Sequence, residues 1–267
     1  MAIDYDAWAQ KYDDTRSVSA SVLGPLLTAL GPANGRALLD IGGGTGNYSA
    51  AMGVAGFRVV HCDPSAGMAT RAASKAEVGS AVLADGQALA FRDAAFDCAV
   101  AVKVLNHVAD RAAFTREAKR VLRGGPLVLV HATKECIEGN WITHYLPPLL
   151  GQERFEPEAA TVQQMEQAGF RVEVSHIRYT DMTDGSAQAL KRFPEALLTE
   201  KRIMNTSLLS RLPDELRREA FEAIRRDHQS GRLQEVIVGY EPLSEQHGDG
   251  AMFVGRVRDR EQSISSP

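Results

Sequence analysis

Cysteine and excess positive charge are both scarce in this sequence, and each shortage removes a class of protein. Its three cysteines, Cys62, Cys98 and Cys136, stand far apart. A disulfide scaffold or a thiolate metal centre needs paired or closely spaced thiols, so free buried thiols in a reducing compartment are expected and no metal site is. Thirty Lys and Arg stand against 34 Asp and Glu, giving a net charge of −4 and an isoelectric point near 6.0. That balance supplies no basic footprint for nucleic acid or an anionic membrane. No apolar run approaches membrane-spanning length, and the opening Met1-Ala2-Ile3-Asp4 lacks the basic and apolar regions of a secretory leader. A cytoplasmic location is the expectation.

What is present is organised around residues 37–48, Ala-Leu-Leu-Asp-Ile-Gly-Gly-Gly-Thr-Gly-Asn-Tyr. Ala37–Leu39 has the pattern of a strand buried on both faces, stopping at Asp40. Gly42, Gly44 and Gly46 then allow a sharp turn and a close approach of backbone to ligand, and Asn47–Gly56 suits the helix that follows. Strand, glycine turn and helix form the first half of a nucleotide site in an open α/β sheet. The dinucleotide fingerprint G-x-G-x-x-G/A is missing, because its sixth position falls on Asn47 or Ser49. A carboxylate at the strand end repels a diphosphate and favours a ligand carrying an ammonium and a sulfonium.

Asp40-Ile-Gly-Gly-Gly-Thr-Gly46 resembles the Asp-Leu-Gly-Cys-Gly-Thr-Gly motif of the class I S-adenosylmethionine-dependent methyltransferases, more narrowly the small-molecule type 11 group that includes the ubiquinone and menaquinone methyltransferases. The resemblance runs from about Tyr5 to Phe170 and returns at Met252–Arg258. It implies a Rossmann-like α/β fold with a seven-stranded, mostly parallel sheet and helices on both faces. It also implies S-adenosylmethionine as the methyl donor. The expected organisation is an N-terminal helical lid over residues 1–34 and a cofactor-binding core over 35–180. A helical cap over 181–250 follows, inserted before a last strand at 251–258, and then a disordered tail over 259–267.

Tyr5, Trp8, Ala9 and Tyr12 have the spacing of an amphipathic helix. The resembling family uses this segment as a lid, and the likeness implies that Tyr12 and Arg16 reach the cofactor's carboxylate. A second helix is expected over Val18–Leu30 and a second buried strand over Phe57–Cys62. Asp63 ends that strand 23 residues beyond Asp40, where such folds place the acid that accepts the ribose hydroxyls. Pro64 follows, and the family likeness puts Met68 beside the adenine. Asp85 leaves a third strand, Ala81–Ala84. It is suited to the adenine amine, with Gly86 and Gln87 offering backbone donors. Three acids ending three consecutive strands favour adenosylmethionine over NAD.

A fourth strand, Phe96–Val102, leads into Lys103-Val-Leu-Asn-His-Val, similar to the family's Leu-His-His-Val segment. The likeness makes His107 a candidate base, and Lys103 is placed to pair with a cofactor or substrate carboxylate. Neither the Asp/Asn-Pro-Pro-Tyr/Phe signature of exocyclic-amine methylation nor a Pro-Cys loop for cytosine C5 stands here. A helix over Arg111–Leu122 and a strand over Leu127–His131 come next. Cys136–Glu156 reads as an irregular substrate-facing loop in which His144 and Tyr145 are further base or ligand candidates. A helix over Pro157–Ala168 and a strand over Phe170–Tyr179 precede three cap helices, over Ser186–Phe193, Pro194–Leu209 and Pro213–Gln229. The function expected is methyl transfer by in-line displacement to a partly apolar small molecule, with O, N and C acceptors all open. A macromolecular methyltransferase and a cofactor-binding protein that transfers no methyl are the alternatives. Oligomeric state is not legible.

Overall fold

The structure is a computed structural model that describes residues 5–14, 16–152, 154–180 and 212–257, together with Pro194 and Leu209. The expected helices at 186–193 and 194–209 and the tail at 259–267 lie outside the described residues, apart from Pro194 and Leu209.

Helices α1 (Tyr5–Tyr12) and α2 (Ala20–Leu30) precede a doubly wound unit of β1 (Ala37–Ile41), α3 (Asn47–Val54), β2 (Arg58–Asp63), α4 (Ala66–Ala73) and β3 (Ser80–Leu83). Next come β4 (Cys98–Val102), α5 (Arg111–Val121), β5 (Leu127–His131), the short α6 (Lys134–Glu138) and α7 (Ile142–Tyr145), α8 (Glu158–Gln167) and β6 (Phe170–Ile177). Helices α9 (Asp214–Ser230) and α10 (Arg232–His247) lie between β6 and β7 (Gly250–Val257) in the chain. Among the described residues the strands form one seven-stranded sheet in the order β3-β2-β1-β4-β5-β7-β6. The β1–β2, β2–β3, β1–β4 and β4–β5 pairs are parallel, and β7 runs antiparallel to both neighbours. The Rossmann-like, mostly parallel sheet read from the sequence is the one observed.

Alternation along β1 shows why this run must sit at the sheet's centre. Leu38 packs with Cys98, Val100, Val22 and Leu26 on one face, whereas Leu39 and Ile41 pack with Ala99, Phe114 and Ala118 on the other. Side chains of a strand point to opposite faces in turn, so α2 and α3 cover one side and α5 and α8 the other. Each fully buried Leu contributes about 1.5–3 kcal/mol.

Two elements differ from the sequence reading in ways that matter. Strand β1 continues through Asp40 to Ile41, with Asp40 paired in register with His61 and Val100. The acid remains in the strand because Ser49 of α3 hydrogen-bonds its carboxylate, so a buried charge has a partner there. Helix α10 was not anticipated, since Gly239 and Pro242 interrupt its pattern. Proline removes the hydrogen bond to Val238, four residues back, and that residue is 56% exposed, so water can replace the lost donor. The supposed irregular loop at 136–156 holds α6, α7 and a single 3₁₀ turn at Pro147–Leu149. Trp141, Ile142, Leu146 and Leu149 from it share a core with Phe221, Ile224 and Leu233 of α9 and α10. The chain leaves and rejoins the sheet at one clasp, where Asp249 donates its N–H to Ile177 and accepts from the Tyr179 N–H, both at 2.7 Å.

Candidate functional site

Strand order reverses between β1 and β4, the place where an open α/β sheet leaves a crevice at its carboxyl edge. A cavity lies there, walled by Asp40 and Gly42–Thr45 at the end of β1, Asp63 and Pro64 at the end of β2, and Val102–Val104 at the end of β4. Met68 of α4, Asn47 and Tyr48 of α3, and Tyr5, Tyr12, Arg16 and Ser17 from the N-terminal segment complete the wall with His107.

The loop after β1 hangs on β2: the N–H groups of Gly42 and Gly43 donate to the Cys62 carbonyl at 2.7 and 3.2 Å. Gly42, Gly44 and Gly46 all have positive φ. A Cβ on Gly42 would lie 2.7 Å from Val104, and one on Gly46 would lie 2.8 Å from Ala72, where it sets the start of α3 against α4. Gly46 does not itself line the cavity. Gly43, which sequence reasoning passed over, is as constrained, because a Cβ there would lie 2.5 Å from His61 Nδ1 and 2.6 Å from Asp40 Oδ2.

Asp40 is 1% exposed, and burial pushes its carboxyl up to about 6 against the opposing pull of the Ser49 hydroxyl. Its Oδ2 accepts from Ser49 Oγ at 2.5 Å, while Oδ1 has no hydrogen-bond partner among the described residues. Asp63 is held from two sides, accepting from Gly44 N–H and Ser65 N–H at 2.9 Å each, and burial raises its carboxyl. The third acid behaves differently. Asp85 is exposed and folds back on Gln87, accepting its N–H at 2.9 Å and its amide at 3.1 Å, while Gly86 packs on Phe114. Asp85, Gly86 and Gln87 are outside the cavity wall. Cys62 feels all three acids, which add to burial in pushing its thiol up to about 12.

Helix α1 is fastened across the cavity at both ends. Asp6 accepts from Ser65 Oγ at 2.5 Å and Gly67 N–H at 2.8 Å, and these bonds hold its carboxyl below the usual range. Asp13 accepts from Thr45 Oγ1 at 2.5 Å and Asn47 Nδ2 at 3.0 Å, with Lys75 Nζ 3.4 Å away. Between these latches Tyr12 lines the cavity, and the guanidinium of the buried Arg16 stacks 5.7 Å from its ring centre.

At the end of β4, Lys103 adopts φ 62°, a left-handed conformation rare outside glycine. Its N–H donates to Val130 at 2.6 Å, and its Nζ stands 4.7 Å from the Tyr179 ring centre. His107 follows in a 3₁₀ turn at Leu105–His107, exposed and facing Tyr5. His144 and Tyr145 are not brought to this cavity. They sit on α7, where His144 is exposed and Tyr145 donates to Asp227 of α9 at 2.7 Å. That bond and burial both raise the Tyr145 phenol.

The structure thus gathers Tyr12, Arg16, Asp40, Gly42, Gly44, Asp63, Pro64, Met68, Lys103 and His107 around one cavity. It adds Tyr5, Ser17, Gly43, Thr45, Asn47, Tyr48, Val102 and Val104. Thr45 stands inside the glycine motif and Asn47 directly after it, and Tyr5 is on the same helical stripe as Tyr12, so their positions carried a signal. Tyr48 looks like any apolar residue of a helix.

Residues 39–130 match the family described as Methyltransferase domain. A demethylmenaquinone methyltransferase of Beutenbergia cavernae is 32% identical over 167 residues, 58% of this chain and 70% of that protein. An uncharacterized methyltransferase of Mycolicibacterium paratuberculosis is 35% identical over 129 residues, 46% of this chain and 51% of that protein. Among solved structures, one assigned as a methyltransferase from an antibiotic biosynthesis pathway of Anabaena variabilis has the same fold, with a TM-score of 0.80 at 23% identity, covering 91% of this chain and 99% of that one.

Proposed function

This chain belongs to the class I S-adenosylmethionine-dependent methyltransferases, in their type 11 group, and from that premise we propose that it methylates a small molecule in the cavity beneath α1. The observation that carries the reading is the pairing of a glycine-built wall with two buried carboxylates at a sheet switch point. Asp40 lines the cavity with one oxygen unpartnered among the described residues, and Gly43 leaves no room for a side chain, so backbone and a carboxylate make up this wall.

The residues present fit an adenosyl amino acid. Asp63 would accept the ribose hydroxyls, Pro64 and Met68 would pack beside the adenine, and Asp40 would face the ammonium. Tyr12 and Arg16 would hold the carboxylate, an assignment in which Lys103 is a second cation. Asp85 and Gln87 would have to release each other before contacting the adenine. Bound S-adenosylmethionine supplies a methyl activated by the positive sulfur, which passes in line to an acceptor lone pair while the electrons of the C–S bond stay on sulfur. The protein's own work is alignment and exclusion of water. Helix α1 covers the cavity, and Asp6 and Asp13 keep it there. Among the titratable candidates for a base, His107 is the one on the cavity wall, placed to take the proton from an oxygen acceptor. His144 and Tyr145 receive no role in the transfer step.

The slight acidity of the chain supports a metabolite over a polymer. The relatives above include one that bears the name of a quinone methyltransferase and one placed in antibiotic biosynthesis, both small-molecule settings. No helix among the described residues is long and apolar enough to cross a membrane. Calorimetric titration with S-adenosylhomocysteine, followed by mass-spectrometric detection of labelled methyl in a metabolite extract, tests the reading. Labelled RNA or protein in place of a metabolite would overturn the substrate class.

A further inference from the structure

Resting on the reading that the cavity holds an adenosyl amino acid, we propose that Ser49 and His61 are positioning residues for that ligand, forming a buried relay that ties one oxygen of Asp40 and leaves the other for the ligand's ammonium. The three side chains come from α3, β2 and β1 and are 0%, 0% and 1% exposed. Ser49 Oγ is 2.5 Å from Asp40 Oδ2 and 3.1 Å from His61 Nδ1. A hydroxyl carries one proton, and the carboxylate takes it at the shorter distance. His61 Nδ1 must then be the protonated nitrogen, donating to Ser49 Oγ. Nε2 is left as a bare acceptor, and it has no hydrogen-bond partner among the described residues.

The direction of the relay fixes its purpose. Burial drives the His61 imidazole down to about 4, and the positive Lys75 adds to this, so the ring is a neutral donor and not a counter-charge. Asp40 therefore receives hydrogen bonding without neutralisation. The other titratable neighbours supply no positive charge: Asp63 raises the Asp40 carboxyl, and the Cys62 thiol is held protonated. A carboxylate serving only to fill the core would have both oxygens satisfied, whereas Asp40 lines the cavity and its buried Oδ1 has no partner among the described residues. Gly43 lies directly on the relay, which couples its geometry to the ligand-facing backbone.

The test compares S-adenosylhomocysteine with 5′-methylthioadenosine, which has the adenosine and sulfur but no amino acid end. In the full chain, Ser49→Ala should weaken adenosylhomocysteine about tenfold while methylthioadenosine changes less than about twofold. Affinity for adenosylhomocysteine should fall toward acid pH as Asp40 protonates, and in Ser49→Ala that fall should begin at higher pH. His61→Asn keeps a donor where Nδ1 stood and should bind like the unaltered protein, and His61→Leu should match Ser49→Ala. Nitrogen-15 spectra of labelled histidine should show His61 as the Nδ1–H tautomer. Equal losses for the two ligands, no loss for either, or an Nε2–H tautomer would overturn the relay. Failure of the unaltered protein to bind adenosylhomocysteine would instead overturn the cofactor reading on which it rests.

Discussion

The phenol of Tyr5 stands 3.3 Å from Nδ1 and 3.4 Å from Nε2 of His107, joining the first helix of the chain to the turn after the fourth strand. Their rings meet edge to face at 5.7 Å. The same helix is fastened through Asp6 to Ser65 and to Gly67 of α4, so α1 bridges the turns after β2 and β4.

If His107 is the base, His107→Ala should lower turnover by about 10²-fold or more with an oxygen acceptor. Adenosylhomocysteine affinity should stay within about threefold, because binding and proton transfer use different residues. Steady-state kinetics beside calorimetry checks both halves. Equal turnover would remove His107 from the mechanism.

Asp63→Ala should weaken adenosylhomocysteine by about 1–3 kcal/mol through lost charged hydrogen bonds. Part of that loss passes through Gly44, whose N–H would lose its acceptor. Calorimetry reads the change directly, and an unaltered dissociation constant would count against the ribose assignment.

Asp13→Ala removes the acceptor shared by Thr45 and Asn47 and should loosen one end of α1. Dissociation of adenosylhomocysteine should quicken several-fold with a smaller change in association, as measured by stopped-flow displacement. A variant that releases ligand at the original rate would show that α1 does not gate exit.

Gly43→Ala should cost about 1–3 kcal/mol of stability, since the new methyl meets the buried His61 ring and Asp40. Urea denaturation tests this, with Gly44→Ala as a contrast. A Cβ on Gly44 meets nothing within 4 Å, and its penalty comes from a φ of 59° alone.

Stability should fall as the medium is acidified below the ordinary histidine range. His61 is driven down to about 4 and His131 to about 3 by burial, so the unfolded chain binds protons there that the native state refuses. Their contribution is present above about pH 6.5 and is lost as pH falls toward those values, on the order of a few kcal/mol each. Asp40 opposes this: with its carboxyl raised to about 6, the native state binds the extra proton, and stability from it declines as pH rises from about 4 to 6. Asp63, also raised by burial, opposes in the same sense, and the two strongly displaced histidines outweigh both acids, so urea midpoints should drop between pH 7 and 4.5. A rise across that interval would contradict the buried neutral state of both rings.

The sequence made the sheet legible because its signals are local. Apolar runs such as residues 127–130 fit doubly buried strands, and glycines flanked by strand-end acids mark a ligand edge. The relay was not legible, because a serine in a helix and a histidine in an apolar strand look like ordinary interior residues until α3 and β2 are packed together. Position alone did not show where the Asp85 carboxylate rests, which is against Gln87 two residues away. His144 and Tyr145 looked functional as polar aromatics in a long connection. Tertiary packing brought Tyr145 to Asp227, a pairing across 82 residues that no local pattern announces.

The most direct test of the central claim is a crystal structure of the full chain grown with S-adenosylhomocysteine. The predicted result is the ligand beneath α1, its ribose on Asp63, its ammonium toward Asp40 and its chain along Gly42–Gly44. Density for the ligand elsewhere, or a cavity left empty at saturating concentration, would contradict it.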